Sequence, residues 1–395
     1  VTRHLFVTQD FPPQLGGMSR RHVELCRRFA PEPVTVSTPD PGPAAEAFDR
    51  REPYRVVRQP FTKDGAKLLA NEVRWAAGIA RWCRGGDALV HLGNLRPCGY
   101  AVGLGTLPRR TPYLIYVNGG DLLRERRFAT QAARRWSGRQ LLSRALGIVA
   151  NSAWTADLAR ETLALYDARP VPVAAIDLGT DPEQFSPRRD TGALRRRLGV
   201  GAAPLLLTVA RLVPHKGQDV ALRALAALAA EAPDARLLLV GEGHDRPRLE
   251  TLARELGVAA RVIFAGTLGD GEIAEAYATA TLYVGLSRLD NAVDVEGFGI
   301  SFIEAAASAL PSVAGDSGGV RSAVRDGETG LVVPPTDVAA VAAAIRALLS
   351  DEPRRRAMGA AARRAAETHY TWDRVARETL AFARARLAET GRQTP

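Results

Sequence analysis

Two carboxylates, Glu296 and Glu304, stand eight residues apart in the segment EGFGISFIE and enclose Gly297 and Gly299. A fully helical span would hold them roughly 12 Å apart. That exceeds the ~5–9.5 Å of a carboxylate pair that hydrolyses a glycosidic bond, so a simple glycosidase is disfavoured. The glycines argue instead for a loop that turns into an apolar helix. The N–H groups of Gly299, Ile300 and Ser301 would then point out of the helix start, where an anionic phosphate is favoured. A nucleoside diphosphate suits such a mouth. Hydroxyl-rich groups at its two ends suit ionised carboxylates, which accept hydrogen bonds and donate none. The same nine residues also fit an ordinary helix start whose acids favour the dipole.

A second pair of charges lies upstream. In the segment VARLVPHKG, Arg211 directly follows an apolar run and Lys216 comes five residues later. The chain has 50 arginines and only 3 lysines, so a lysine here is not compositional drift. An ammonium point charge and a planar guanidinium could neutralise a diphosphate from two sides; the alternative is a pair of loop charges. Gly16 and Gly17, after the first apolar run and Pro12-Pro13, either let backbone approach a phosphate or make a turn.

The elements that must carry these residues alternate between short apolar runs and longer helical patterns, the mark of parallel βαβ units. HLFVT, PVTVST, ALVHL, YLIYV and GIVAN read as strands in the first half, and LLLTVA, RLLLVG, RVIFAG, LYVGL and PSVAG in the second. Helical patterns between them include His22–Phe29, Lys67–Trp82, Gln218–Ala230 and Arg246–Glu255. At 395 residues the chain exceeds one hydrophobic core. Two doubly wound domains are expected, joined near DLGTDPEQFSP at 177–187, where Gly, Asp and Pro break both periods. Ligands of such sheets bind at the carboxyl ends of the strands, and Arg211 falls at such an end.

Composition sets the outer bounds. A hydrophobic share of 46% and a charged share of 24% describe a soluble globular protein. Val1–Thr8 is too short, and too soon followed by Asp10 and two prolines, for a signal peptide or membrane helix. Cys26, Cys83 and Cys98 lack metal-ligand spacing and read as buried thiols in a reducing cytoplasm. The net charge of +10 is uneven: 26 Lys and Arg face 16 Asp and Glu over residues 1–180, against 27 and 27 over 181–395. Between Arg124 and Arg144, seven arginines oppose only Glu125 and accompany Leu122, Phe128, Trp136 and Leu142. That segment reads as a basic amphipathic helix pair, either a solvated arginine face or a peripheral contact with an anionic membrane. Nucleic acid is disfavoured, because no reading motif or aromatic platform accompanies the charge.

Several segments together resemble one family. TQDFPPQLGGMSRRHVELCRRF at the start, VANS at 149–152, VARLVPHKG at 209–217, VGEGHDRPRLE at 240–250, VIFAG at 262–266 and SRLDNAVDVEGFGISFIEAAASALPSVAGDSGGVRSAVRDGETGLVV at 287–333 are similar to the family 4 retaining glycosyltransferases. Within that family the chain looks closest to the bacterial phosphatidylinositol mannosyltransferase-like branch, partly through PYRVVRQP at 53–60.

The resemblance implies an α/β GT-B fold, two doubly wound Rossmann-like domains facing across a deep interdomain cleft. Residues 1–180 with a returning C-terminal helix of about 372–395 would form the acceptor-side domain, and residues 181–371 the domain that binds the nucleotide-sugar donor. Carried over, it gives Arg211 and Lys216 the diphosphate, Glu304 the ribose hydroxyls and Glu296 the transferred sugar. Gly299, Ile300 and Ser301 add helix-start amides at the diphosphate, Gly241, Gly297 and Phe298 belong to the donor set, Thr267 and Leu268 fall where the family contacts the base, and Gly16 and Gly17 close over the phosphates. The mechanism implied is front-face transfer of a hexosyl group from a GDP- or UDP-sugar to a hydroxyl acceptor, with retained configuration, no cofactor and no essential metal. The acceptor would be a lipid, a glycan or a small natural product. The place implied is the cytoplasm, with peripheral placement at the inner face of the plasma membrane an extension of the basic segment.

One departure matters. Many members place a histidine after the first-domain strand that faces the transferred sugar; here Asn118, after YLIYV, stands there, and it cannot titrate. Asp10, Asn118, Gly119 and Asp121 are the candidates for acceptor-side contacts, with turn or capping roles as the alternative for the two aspartates. Three other readings stay open: a pseudo-glycosyltransferase forming a C–N bond to an aminocyclitol, a nucleotide-sugar epimerase on the same scaffold, and a non-enzymatic basic binding protein.

Overall fold

The computed structural model describes residues 2–13, 16–60, 65–85 and 87–391. Gln14 and Leu15 of the first motif, and residues 392–395 of the expected C-terminal span, lie outside the described residues. The chain forms two compact units, one of Val1–Leu178 with Trp372–Pro395 and one of Gly179–Thr371.

Among the described residues the first unit carries seven strands: β1 (Arg3–Val7), β2 (Val34–Pro39), β3 (Arg55–Gln59), β4 (Ala88–Leu92), β5 (Tyr113–Val117), β6 (Gly147–Ala150) and β7 (Val173–Ala175). They pair in the order β3-β2-β1-β4-β5-β6-β7, every pair parallel. Helices cover both faces, so central strands are continuous apolar runs rather than alternating ones. All five residues of β5, YLIYV, are buried, each large side chain contributing ~1.5–3 kcal/mol by its burial.

The second unit has six strands: β8 (Leu205–Val209), β9 (Arg236–Val240), β10 (Val262–Gly266), β11 (Leu282–Gly285), β12 (Ser312–Gly315) and β13 (Gly330–Val333). Their order is β10-β9-β8-β11-β12-β13, again all parallel. The strand order reverses between β8 and β11 here and between β1 and β4 in the first unit, and crevices at such reversals are where doubly wound sheets hold ligands.

β3, β7 and β13 have no counterpart among the strands expected from sequence. Each lies at the edge of its sheet and is mostly half-exposed, and β7 and β13 are only three and four residues long. The final helix, Trp372–Glu389, belongs to the first unit. It docks on the helix Gly17–Arg28 through Arg28 Nε to Asp373 Oδ1 at 2.5 Å, and Arg374 Nη2 donates to the Asp177 carbonyl at 2.6 Å. All three cysteines are buried free thiols, and no described helix is long and apolar enough to cross a membrane.

Candidate active site

In the second unit, β8 delivers Arg211 as an exposed side chain with no described partner. A 3-10 turn, Pro214–Lys216, follows and ends at Gly217, whose φ is +71°. A Cβ there would lie 2.1 Å from the Leu286 carbonyl oxygen, so only glycine lets this turn press against the end of β11. The turn delivers Lys216 Nζ to within 2.6 Å of Glu296 Oε2, while Ser287 Oγ donates to the same oxygen at 3.4 Å. Burial alone would raise the Glu296 carboxyl; the Lys216 ammonium outweighs it, with His215 and Ser287 helping, and holds it below its ordinary value. Glu296 is therefore ionised at neutral pH, and neither a proton donor nor a strong base.

The backbone around this pair is fixed from three directions. Gly319 N–H donates to the Glu296 carbonyl at 2.8 Å, and a Cβ on Gly318 would fall 2.2 Å from that same oxygen. Arg288 N–H donates to the His215 carbonyl at 2.8 Å, and its guanidinium grips Asp219 at 2.9 and 3.3 Å. Gln218 Nε2 donates to the Arg211 carbonyl at 3.0 Å.

The helix Ile300–Ala307 starts from Gly299 at φ +96°. The N–H groups of Gly299, Ile300 and Ser301 have no acceptor among the described residues, which leaves a helix mouth able to take an anion. Glu304, on the buried side of that helix, accepts from Tyr277 Oη at 3.0 Å. Tyr283 lies between the two carboxylates: burial raises its hydroxyl, Ser301 opposes, and both Glu296 and Glu304 add to the rise. Sequence reasoning missed Tyr277, Tyr283 and Asp219, which sit in other elements and carry no local motif, and it gave no role to Ser287, Arg288 and Gly318, which lie within the 287–333 segment.

Two members of the expected donor set are placed by packing. The Phe298 ring is buried edge-on against Tyr370, with centroids 6.1 Å apart, so its side chain belongs to the core. Gly241 has φ +130°, and a Cβ would meet the Ala210 carbonyl at 2.1 Å; what requires glycine there is the exit of β9 past the chain leaving β8. Thr267 and Leu268 follow β10, the outer strand of the sheet. Gly297 is buried between Glu296 and Phe298.

In the first unit a polar cluster gathers after β1, β4 and β5. Asp10 Oδ2 accepts from Asn94 Nδ2 at 2.6 Å, and Asn94 Oδ1 accepts from Thr8 Oγ1 and the Gln9 N–H, both at 2.9 Å. Burial raises the Asp10 carboxyl against the opposing effects of Asn94 and Arg124. Gly17 opens the helix Gly17–Arg28, and a Cβ on Gly16 would meet nothing within 4 Å. Gly119 takes φ +91° and starts the helix Gly120–Arg126. Asp121 Oδ1 receives the N–H groups of Asn118 at 3.0 Å and Leu122 at 2.9 Å, the capping role left open by the sequence; its Oδ2 is buried without a partner.

Beneath this cluster, polar side chains thread the core. His4 Nε2 lies 2.8 Å from Glu32 Oε2, His4 Nδ1 2.8 Å from His91 Nε2, and His91 Nδ1 2.8 Å from Tyr116 Oη. Glu32 also pairs with Arg384 of the final helix. Burial keeps both histidines neutral at neutral pH. An ionised Glu32 can only accept, so His4 must donate to it, His91 to His4 and the Tyr116 hydroxyl to His91.

The basic segment forms the helices Gly120–Arg126 and Ala132–Arg144, and several of its arginines have partners. Arg126 pairs with Glu161 at 2.8 Å and Arg135 with Asp167 at 2.5 Å, acids distant in sequence that folding brings alongside. Arg134 lies over the Phe128 ring at 4.3 Å, and Arg144 Nη1 donates to the Gly103 carbonyl at 3.1 Å. Trp136, counted on the apolar face, is 66% exposed and lines an open groove of about 660 Å³ with Arg135, Arg139 and Leu165. Among the described residues, no cluster of three or more His, Cys, Asp or Glu side chains is placed to hold a metal ion.

Comparison with known proteins gives the family and the fold. The family model Glycosyltransferase Family 4 matches residues 15–184 and Glycosyl transferases group 1 matches residues 191–365. The GDP-mannose-dependent alpha-(1-6)-phosphatidylinositol monomannoside mannosyltransferase of Mycolicibacterium smegmatis is 34% identical over 379 residues, 93% of this chain and 94% of that protein. A D-inositol 3-phosphate glycosyltransferase of Geodermatophilus obscurus is 39% identical over 60% of this chain and 52% of its own length. Among solved structures, Anabaena HepE in complex with UDP and glucose superposes with a TM-score of 0.79 at 21% identity, covering 98% of this chain and 100% of that one. Sucrose-phosphate synthase from Thermosynechococcus elongatus gives 0.78 at 22% identity, covering 98% and 100%. With two Rossmann-like units, both family models and a full-length relative in agreement, the chain belongs to family 4 of the glycosyltransferases and has the GT-B fold.

Proposed function

We propose that this chain is a retaining hexosyltransferase that moves mannose from GDP-mannose to a hydroxyl of an inositol-bearing acceptor, without a metal ion. The observation that carries the reading is the Lys216–Glu296 pair beside the unpaired helix mouth Gly299–Ser301. Lys216 and Arg211 supply positive charge for a departing diphosphate, and the helix N–H groups add preorganised donors, each typically contributing ~10²–10³ in rate. Glu296, ionised and tied to an ammonium, is suited to accept hydrogen bonds from sugar hydroxyls and poorly suited to be nucleophile or base. Glu304, steadied by Tyr277, is the ribose ligand.

In the proposed step the bond from the anomeric carbon to the phosphate oxygen breaks as the bond to the acceptor oxygen forms on the same face. The departing phosphate oxygen takes the acceptor's proton, so no side-chain base is needed. The choice of mannose, guanine and inositol rests on the relatives, whose names join GDP-mannose to a phosphatidylinositol mannoside and inositol 3-phosphate to glycosyl transfer.

Thermal-shift screening of GDP-mannose, UDP-glucose, UDP-N-acetylglucosamine and ADP-glucose tests the donor. GDP-mannose alone should raise the melting temperature, and mannosyl transfer should persist in EDTA with an α-linked product by NMR. Selective stabilisation by a UDP-sugar, loss of transfer in EDTA or a β-linked product each overturns the corresponding part of the reading.

A further inference from the structure

Arg21 is 1% exposed, and the reading of the site so far gives it no task. It lies on the helix Gly17–Arg28 with its guanidinium over the Tyr116 ring, 4.7 Å from the centroid. Nη1 reaches Asn118 Oδ1 at 3.4 Å, while Nε and Nη2 are buried with no partner. Burying unpaired N–H groups is costly, and an apolar side chain of similar volume is commonly neutral or better for stability. Stability alone does not account for arginine at this position.

Its consequence for Asn118 is chemical. A guanidinium only donates, so the atom facing it must be the carboxamide oxygen, and the amide N–H groups must face the other way. Asp121 Oδ1 holds the Asn118 backbone N–H at 3.0 Å, so main chain and side chain are both fixed. The platform under Arg21 is fixed as well, because the Tyr116 hydroxyl is committed to His91. Asn118 Nδ2 has no partner among the described residues.

We propose that Arg21 is a positioning residue that locks the Asn118 carboxamide with its N–H groups outward, making Asn118 an obligate hydrogen-bond donor to a carbohydrate hydroxyl oxygen. This rests on the reading of Asn118 as a substrate contact. It assigns to a non-titrating residue one fixed polarity, where an unrestrained asparagine would rotate and offer either end.

A double-mutant cycle in mannosyl transfer from GDP-mannose separates the two ideas. Asn118→Ala should lower kcat about a hundredfold, and Arg21→Met about tenfold, with the melting temperature of Arg21→Met unchanged or raised. The double variant should match Asn118→Ala alone, since Arg21 acts through Asn118. Asn118→Asp, an acceptor only, should be as impaired as Asn118→Ala. Wild-type kcat in Arg21→Met, a multiplicative loss in the double variant, or retained activity in Asn118→Asp overturns the positioning role. Wild-type activity in Asn118→Ala overturns instead the reading of Asn118 as a substrate contact. Should Arg21→Met not fold, Arg21→Lys passes through the same cycle: a loss of kcat that vanishes beside Asn118→Ala supports the proposal, and an unaltered kcat or a multiplicative loss overturns it.

Discussion

The two units treat charge in opposite ways. In the second, Lys216 and Glu296 neutralise each other at 2.6 Å and Arg211 is held out to solvent, so the region is charged, nearly satisfied and open. In the first, Arg21, His22 and Asp121 are buried with unpaired nitrogen or oxygen atoms, and the histidines around them are held neutral. A site proposed to receive a diphosphate keeps one cation, Lys216, compensated and holds the other, Arg211, out to solvent. A site that must aim neutral hydrogen-bonding groups does so by locking them from behind.

The largest test of that contrast is Glu296→Ala, expected to lower transfer by about 10³-fold while sparing GDP binding; isothermal calorimetry and a turnover assay read the two separately. An active variant would remove Glu296 from the sugar. Next is Gly318→Ala, which puts a methyl 2.2 Å from the Glu296 carbonyl at φ +57°. We expect about a tenfold loss of activity with the first unit unaffected, so equal destabilisation of both units would count against a local effect.

The smallest test is acid. Burial pushes His22 down to about 3, with Arg21 adding, and lowers His4 and His91 from their ordinary 6.5. These groups are neutral when folded and protonated in the unfolded chain below about 6.5, so the unfolded state binds more protons and stability falls as pH falls. Each contributes up to about 1.4 kcal/mol per pH unit between its two values. Glu72 works the other way: burial raises it to about 7, so it stabilises in acid and loses that effect as pH rises from 4.5 to 7. Three histidines outweigh it. All 5 tryptophans lie in the first unit, so their emission should show melting lowered by about 5 °C or more between pH 7 and pH 5. A flat profile would show that the histidines titrate freely.

The same contrast explains what could be read in advance. R-x4-K and E-x7-E each sit within one loop-to-helix passage, so fixed spacing implies fixed geometry, and two such passages flank the β8/β11 reversal. The first unit's cluster has no such economy. Asn94 and Asp10 are 84 residues apart and Arg21 and Asn118 are 97 apart, joined only because β1, β4 and β5 are neighbours. The His4–His91–Tyr116 chain was equally invisible, since histidines without metal-ligand spacing give no signal until strand register aligns them. Arg124–Arg144 shows a related effect: local counting finds one acid, and the fold supplies Glu161 from the next helix and Asp167 from just beyond its end.

The returning helix Trp372–Glu389 means that the first unit is not a contiguous stretch of gene. A stop after Leu178 would remove Asp373 from Arg28, Arg384 from Glu32 and Phe382 from Gly147, against which it packs. The outer end of the histidine chain would lose its counter-ion in the same cut. Anyone wishing to isolate this half must splice the final helix back on, for instance by circular permutation, because one helix of its outer layer is written nearly two hundred codons downstream.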